Sequence, residues 1–202
     1  MEKGFTIIEI VISIFILAMA IVGIFSAFSV VTILTSESAD RLLATYLAQE
    51  GIEVIRNIRD INWLRMDKEC PDPADCSYHW DENLSTCIGN GCEVDYTTTG
   101  EGIHPVSAYN DKYLTINSDN FYGYTSGTNT KFKRKILITK ITDVDGLSGP
   151  EDLHIMKVKV DVSWDEKATI LNDQLSAGTC IEGKNCISAV EILYNWYNFK
   201  NQ

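Results

Sequence analysis

The chain of 202 residues is 45% apolar and 22% charged, the balance of a folded protein, and its 17 basic against 28 acidic residues leave it at −11. That excess of carboxylates argues against nucleic-acid binding and serves to keep a secreted domain soluble. The average conceals two unlike regions: no charged side chain lies between Glu9 and Glu37, whereas residues 36–202 carry a net −10, so one anchor segment and one domain with its own core are expected.

The first predicted element runs from Phe5 to Leu34, thirty residues with Glu9 as the single charge. At about 1.5 Å per residue a helix of this length spans roughly 45 Å, more than the ~30 Å of a bilayer's hydrocarbon core. Lipid offers no partner to the backbone, so helix is the one single-segment solution, and no proline interrupts it. Ala18-Met19-Ala20 imitates a signal-peptidase site, but the apolar run continues past it for more than ten residues and Glu9 interrupts the uncharged stretch that such a peptide needs. The first cysteine is Cys70, which excludes a lipoprotein, and a plain anchor has no use for Glu9. A carboxylate in a membrane segment costs a few kcal/mol unless it finds a partner. Cleavage before Phe5 would supply one, because the new α-amino group lies one helical turn from Glu9 and can meet that residue on a neighbouring chain.

The residues Lys3-Gly4-Phe5-Thr6-Ile7-Ile8-Glu9 resemble the prepilin peptidase site shared by type IV pilins, type II secretion pseudopilins and competence pseudopilins. The resemblance covers roughly residues 1–60. It implies removal of the leader 1–4 by a cut between Gly4 and Phe5, N-methylation of Phe5, and use of Glu9 to recruit the subunit and neutralise a neighbour's amino terminus. It also implies a pilin fold, in which residues 5–35 form the transmembrane and filament-core helix and residues 36–202 the head. The proline often found in the membrane part of major pilins is missing; Ser26 stands near its place, and Gly23 is the expected point of bending.

Beyond Ser36 the pattern turns amphipathic, with Ala39, Leu43, Leu47, Val54 and Ile58 near helical spacing, so a continuous helix to about Ile61 is expected to lie under a sheet. Glu50 and Glu53 read as its solvated face. Residues 67–130 show little periodicity and suit a stapled, loop-rich connection with a short strand at Tyr113–Ile116. Strand formers return at Phe132–Ile141. Met156, Val158, Val160, Val162 and Trp164 then alternate with polar residues, and Ala189–Phe199 forms a third segment, predicting an antiparallel meander and an α+β fold.

Cys70, Cys76, Cys87, Cys92, Cys180 and Cys186 all follow the apolar run and lack the paired spacing of zinc knuckles, so three disulfides are expected among the 15 pairings that six cysteines allow. Cys180 with Cys186 is the favoured pair, because both lie in one polar insertion between predicted strands. Asp143, Asp145 and Asp152 around Gly146 resemble part of a calcium loop, but the full spacing is absent and Asp143-Val144-Asp145-Gly146 equally makes a hairpin turn; no metal and no cofactor is expected. His79, His104 and His154 are scattered, without a nucleophile or phosphate-loop framework, so no enzyme is expected. Lys131, Lys133, Arg134 and Lys135 form the one local basic cluster and read as an edge-strand or solvated feature, with no aromatic-basic patch visible and no nucleic acid expected.

Together these features predict a minor pilin or pseudopilin, inserted in the inner membrane with its head outside the cytoplasm and drawn into an extracellular or periplasmic filament. Its expected partners are prepilin peptidase, other pilin subunits, the inner-membrane assembly machinery and, before assembly, membrane lipid. A tip adhesin or DNA-uptake pilin whose head is a binding module, or a type II secretion pseudopilin, is the alternative.

Overall fold

The computed structural model describes residues 4, 6–69, 78–98, 105–141, 155–165, 180 and 185–195. Phe5, Cys70, Cys76, His104, the aspartates of the calcium-like loop and His154 lie outside these residues, and with them the three-disulfide expectation in its full form. The chain divides into two units, Met1–Leu42 and Leu43–Gln202. One helix, α1 (Ile7–Glu69), belongs to both.

Within the first unit α1 is apolar and exposed on every side, with Phe15, Phe25 and Phe28 each at least 64% exposed. Its hydroxyls turn back on the helix: Ser13, Ser29, Thr32, Thr35 and Ser38 each donate to the carbonyl four residues earlier, at 2.8–3.0 Å. Such bonds satisfy the hydroxyl protons without water, which is what an apolar surrounding demands. The Glu37 and Arg41 side chains, one turn apart at 2.8 Å, mark the return to aqueous chemistry.

In the second unit the helix gains a buried face. Ala44, Leu47, Ala48, Ile55 and Ile58 are at most 2% exposed and recur at helical spacing. Leu43 is partly buried and Val54 buried, as the sequence pattern requires, whereas Ala39 is exposed, so the core-facing stripe begins later than expected. The helix also passes Ile61 by two turns. Asn62, just past that point, is buried, and its Nδ2 donates to the carbonyls of Trp80 and Glu82. Trp63 Nε1 donates to Asn195 Oδ1 at 2.9 Å, joining the helix to the far end of the last strand. Lys68 in the last turn suits the negative end of the helix dipole.

The sheet is built around β5 (Thr128–Lys140), with β1 (Cys92–Glu93), β2 (Ser107–Ala108), β3 (Tyr113–Ile116), β4 (Tyr122–Gly123), β6 (Ile155–Trp164) and β7 (Cys186–Tyr194). One edge of β5 is shared: β3 takes its first half and β1, carrying β2, meets it at Ile136. The other edge pairs with β6 from Phe132↔Trp164 to Lys140↔Met156, and β6 pairs with β7 from Ile155↔Tyr194 to Ser163↔Cys186. All these pairings are antiparallel, so β5–β6–β7 is the predicted meander, and Tyr113–Ile116 is the strand expected there. Strand β5 begins four residues before Phe132 because Thr128–Lys131 pairs with β3, and β7 begins at Cys186 rather than Ala189 because the polar end of the insertion completes the β6 ladder.

Alternation then sets the core. Met156, Val158, Val160, Val162 and Trp164 are at most 2% exposed, and Phe132, Ile136 and Ile138 of β5 share their layer under α1. This is the expected α+β arrangement of a long N-terminal helix and an antiparallel sheet. Two disulfides close local loops, Cys87–Cys92 and the favoured pair Cys180–Cys186.

Candidate assembly helix and polar sites of the head

The N-terminal site has few parts. Glu9 N–H and Ile10 N–H both donate to the Thr6 carbonyl, at 3.1 and 3.3 Å, so the first turn of the helix closes on Thr6. Glu9 sits in the first turn, where a carboxylate meets the positive end of the helix dipole. Its exposed side chain has apolar neighbours along the helix, and the most apolar 18-residue stretch has a mean hydropathy of 2.9 and is 0% buried. The helix is long and apolar enough to cross a membrane.

The head's chief polar site was hidden in the basic cluster. Arg134 is 0% exposed and lies on the central strand, not on an edge, because β5 has neighbours on both sides. Nη1 donates to the Leu47 carbonyl of α1 at 2.9 Å and Nη2 to the Val94 carbonyl beside β1 at 2.6 Å, so one guanidinium ties helix, central strand and neighbouring strand together. Glu50 Oε1 is 3.5 Å from Nη1, a charge contact; that oxygen and Arg134 Nε make no hydrogen bond. Gly51 gives the guanidinium room. A Cβ there would stand 3.1 Å from Val160 Cγ1, 3.2 Å from Arg134 Cδ and 3.3 Å from Ile136 Cδ1. Of the two helix carboxylates expected on a solvated face, Glu53 is exposed and paired with Arg56, whereas Glu50 is half-buried against Arg134.

The three lysines of the cluster face outward and are not simply solvated. Lys133 Nζ lies 4.4 Å from the Tyr113 ring centre and 2.7 Å from Asp111 Oδ2, and Lys135 Nζ lies 4.8 Å from the Tyr109 ring centre. The sequence concealed this aromatic-basic patch because its tyrosines come from other segments. The ammonium groups cover the ring faces, so these rings are not open platforms for stacking bases.

A pocket of about 120 Å³ is lined by Glu93, Asp95, Thr97, Thr98, Pro105, Ser107, Lys112, Tyr124 and Thr125. Its buried carboxylates are engaged within the fold. Glu93 Oε1 accepts from Asn110 N–H and Lys112 N–H, while Asp95 accepts from Thr97 and Thr98 through Oδ1 and from Tyr124 N–H through Oδ2. Burial pushes the Asp95 carboxyl up, but the hydrogen bonds from Thr97, Tyr124 and Thr98 outweigh it and leave its pKa below the ordinary range. Burial raises the Tyr124 phenol to about 12. Both carboxylates therefore act as loop fasteners. Among the described residues no group of three or more His, Cys, Asp or Glu is gathered in the manner of metal ligands.

No family model, curated protein or solved structure matches this chain.

Proposed function

We infer that the chain is a prepilin-type subunit, cut between Gly4 and Phe5, methylated on Phe5 and built through α1 into a filament of the type IV pilin kind. The observation that carries this reading is a helix whose first unit is apolar and exposed all round yet holds one carboxylate, Glu9, in its first turn. Such a surface has two stable surroundings, lipid or other helices of the same kind. The head requires an aqueous, oxidising compartment, in keeping with its disulfides, so the helix enters the inner membrane with its N-terminus in the cytoplasm. In lipid Glu9 bears the cost of a carboxylate near hydrocarbon; in a filament the amino terminus of an adjacent subunit relieves it, which favours assembly and sets register. A contact that repeats without closing yields an open helical polymer.

The test is mass spectrometry of the mature N-terminus together with the Glu9→Ala variant in a filament-forming host. Expected are an N-methylated Phe5 terminus in the wild type, and normal processing and insertion of Glu9→Ala with loss of incorporation. An intact Met1 terminus, or normal incorporation of Glu9→Ala, would overturn the reading.

A further inference from the structure

Two hydrogen bonds fix which way the sheet of the head runs along its helix. Arg134 meets Leu47, and Trp63 meets Asn195, the residue after β7. From Leu47 to Trp63 the helix advances about 24 Å, and from Arg134 to Ile141, which lies level with Ile155 and Tyr194, the central strand advances about 23 Å. Helix and central strand therefore run side by side in the same direction. Thr128, where β5 begins, lies about 20 Å from Arg134 toward the end at which the chain enters the second unit, whereas Leu43 is only about 6 Å from Leu47. Ile116 of β3 pairs with Thr128, and the turn from Asn117 to Phe121 that leads into β4 lies beyond that pair. This hairpin end overhangs the level of Leu43 by about 14 Å.

The hairpin differs from the rest of the head in its chemistry. Residues 113–130 carry Asp119 as their single charge, in a chain that is 22% charged. Phe121 is 55% exposed and Tyr96 beside it 48%, with their ring centres 5.1 Å apart. Neither ring is loosely held. Asn117 Oδ1 accepts from Asp119 N–H and Phe121 N–H, both at 2.9 Å, and Asn117 Nδ2 donates to the Tyr96 hydroxyl at 3.1 Å. Asp95, the neighbour of Tyr96, accepts from Tyr124 N–H on the far side of β4. Two loops are thus fastened to each other and present a pair of rings on a firm support. Such a display is unfavourable in bulk water and favourable where water gives way to acyl chains.

We propose that the Phe121–Tyr96 end of the head is a membrane-interface anchor, its two rings seated at the headgroup level of the bilayer that holds the apolar run of α1. The occupant is lipid because the chain keeps this end beside it: at most about 14 Å of helix separates Leu34, the last residue of the apolar run, from Leu43, where the second unit begins, and the hairpin overhangs Leu43 by as much. Aromatic rings collect at this depth of a bilayer, and a loop with few charges gives up little hydration on reaching it. Asp119 is exposed in the turn and stays in the headgroup water, so attraction to anionic lipid has no part in the contact. The anchor rests on the membrane-inserted stage of the function inferred above and adds to it a second hold, which keeps the head from turning freely about its tether and is given up when the subunit leaves the bilayer.

The experiment uses the full-length chain in phosphatidylcholine vesicles, with photoreactive p-benzoylphenylalanine in place of Phe121 or, separately, of Phe15 in the apolar run or of Leu64, which is 71% exposed near the opposite end of the head's helix. Mass spectrometry reads the adducts. Expected are lipid adducts at Phe121 and Phe15 and none at Leu64, with yields unchanged when part of the phosphatidylcholine is replaced by phosphatidylglycerol. Tyr96→Glu should lower the Phe121 adduct about tenfold and spare that at Phe15, because a carboxylate is driven out of the interface. A Phe15 adduct without one at Phe121, a Phe121 adduct to protein instead of lipid, equal adducts at Phe121 and Leu64, a requirement for phosphatidylglycerol, or insensitivity to Tyr96→Glu overturns the anchor and leaves the membrane-inserted helix standing. Absence of a lipid adduct at Phe15 overturns both.

Discussion

Arg134 shows how one side chain can organise a layered head. Its guanidinium spans carbonyls of the helix and of a strand, and truncation to alanine would leave those acceptors and Glu50 facing a cavity. Arg134→Ala is expected to destabilise the detergent-solubilised protein by about 3–5 kcal/mol, and Arg134→Met by less because the volume is largely retained, a difference measurable by urea denaturation. Gly51 works with it. Alanine normally gains up to about 1 kcal/mol over glycine in a helix, but here its methyl would press on Val160, Arg134 and Ile136, and overpacking costs about 1–3 kcal/mol. Gly51→Ala should therefore lower the melting temperature, contrary to its helix propensity. Titration gives a further check: the carboxyls of Asp95 and Asp111 are both held below their ordinary range, Asp111 because the bonds from Lys133 and Tyr109 outweigh burial. A depressed folded pKa contributes stability that is complete above the unfolded value, near 3.9, and lost as pH falls through the folded one. Thermal scans should show melting temperatures falling below about pH 4. Tyr124, raised to about 12, works in the opposite range: its contribution is present below about pH 10 and is lost as pH rises toward the folded value.

At the scale of elements, the 87–92 loop is the clearest case of a local constraint. Its disulfide links residues five apart, next to the point where Cys92 meets Ile136. Replacing Cys87 and Cys92 together by alanine should cost about 2 kcal/mol, the loop entropy of so short a closure, and calorimetry of the oxidised wild type against the double variant measures it. The elements best read in advance were those with uninterrupted periodicity. The apolar run of α1 and the alternation of β6 needed no tertiary information, since each pattern already names the face it buries. Even Arg134 was legible in this sense, because it shares the inward parity of Phe132, Ile136 and Ile138; its charge masked a position that the period of two assigns to the core. By contrast, the continuation of α1 past Ile61 depends on Asn62 finding carbonyls at Trp80 and Glu82, and the Lys133–Tyr113 contact depends on pairing across strands. Partners distant in sequence leave no local signal.

For the whole molecule, the proposed function rests most on the first residues and least on the head. Lys3-Gly4-Phe5 and Glu9 carry, within nine residues, the resemblance from which cleavage and assembly are proposed, whereas the sheet's outer face becomes a surface only after three strands are in register. If α1 alternates between lipid and helix neighbours, a lysine in mid-run, Ala20→Lys, should reduce membrane insertion or incorporation sharply, since a charge at bilayer depth costs about 2.5–3.5 kcal/mol even on insertion scales; carbonate extraction of membranes would report it. The inward-turned hydroxyls of Ser13, Ser29, Thr32 and Thr35 carry one more consequence. With their protons committed to the helix itself, they leave the rod coated almost entirely by hydrocarbon, so that leaving lipid for a bundle ruptures no polar link and one rod glides along another with little friction. In the proposed filament, adjustment of height and rotation during growth is then easy, and Glu9 would be the catch at which that sliding stops.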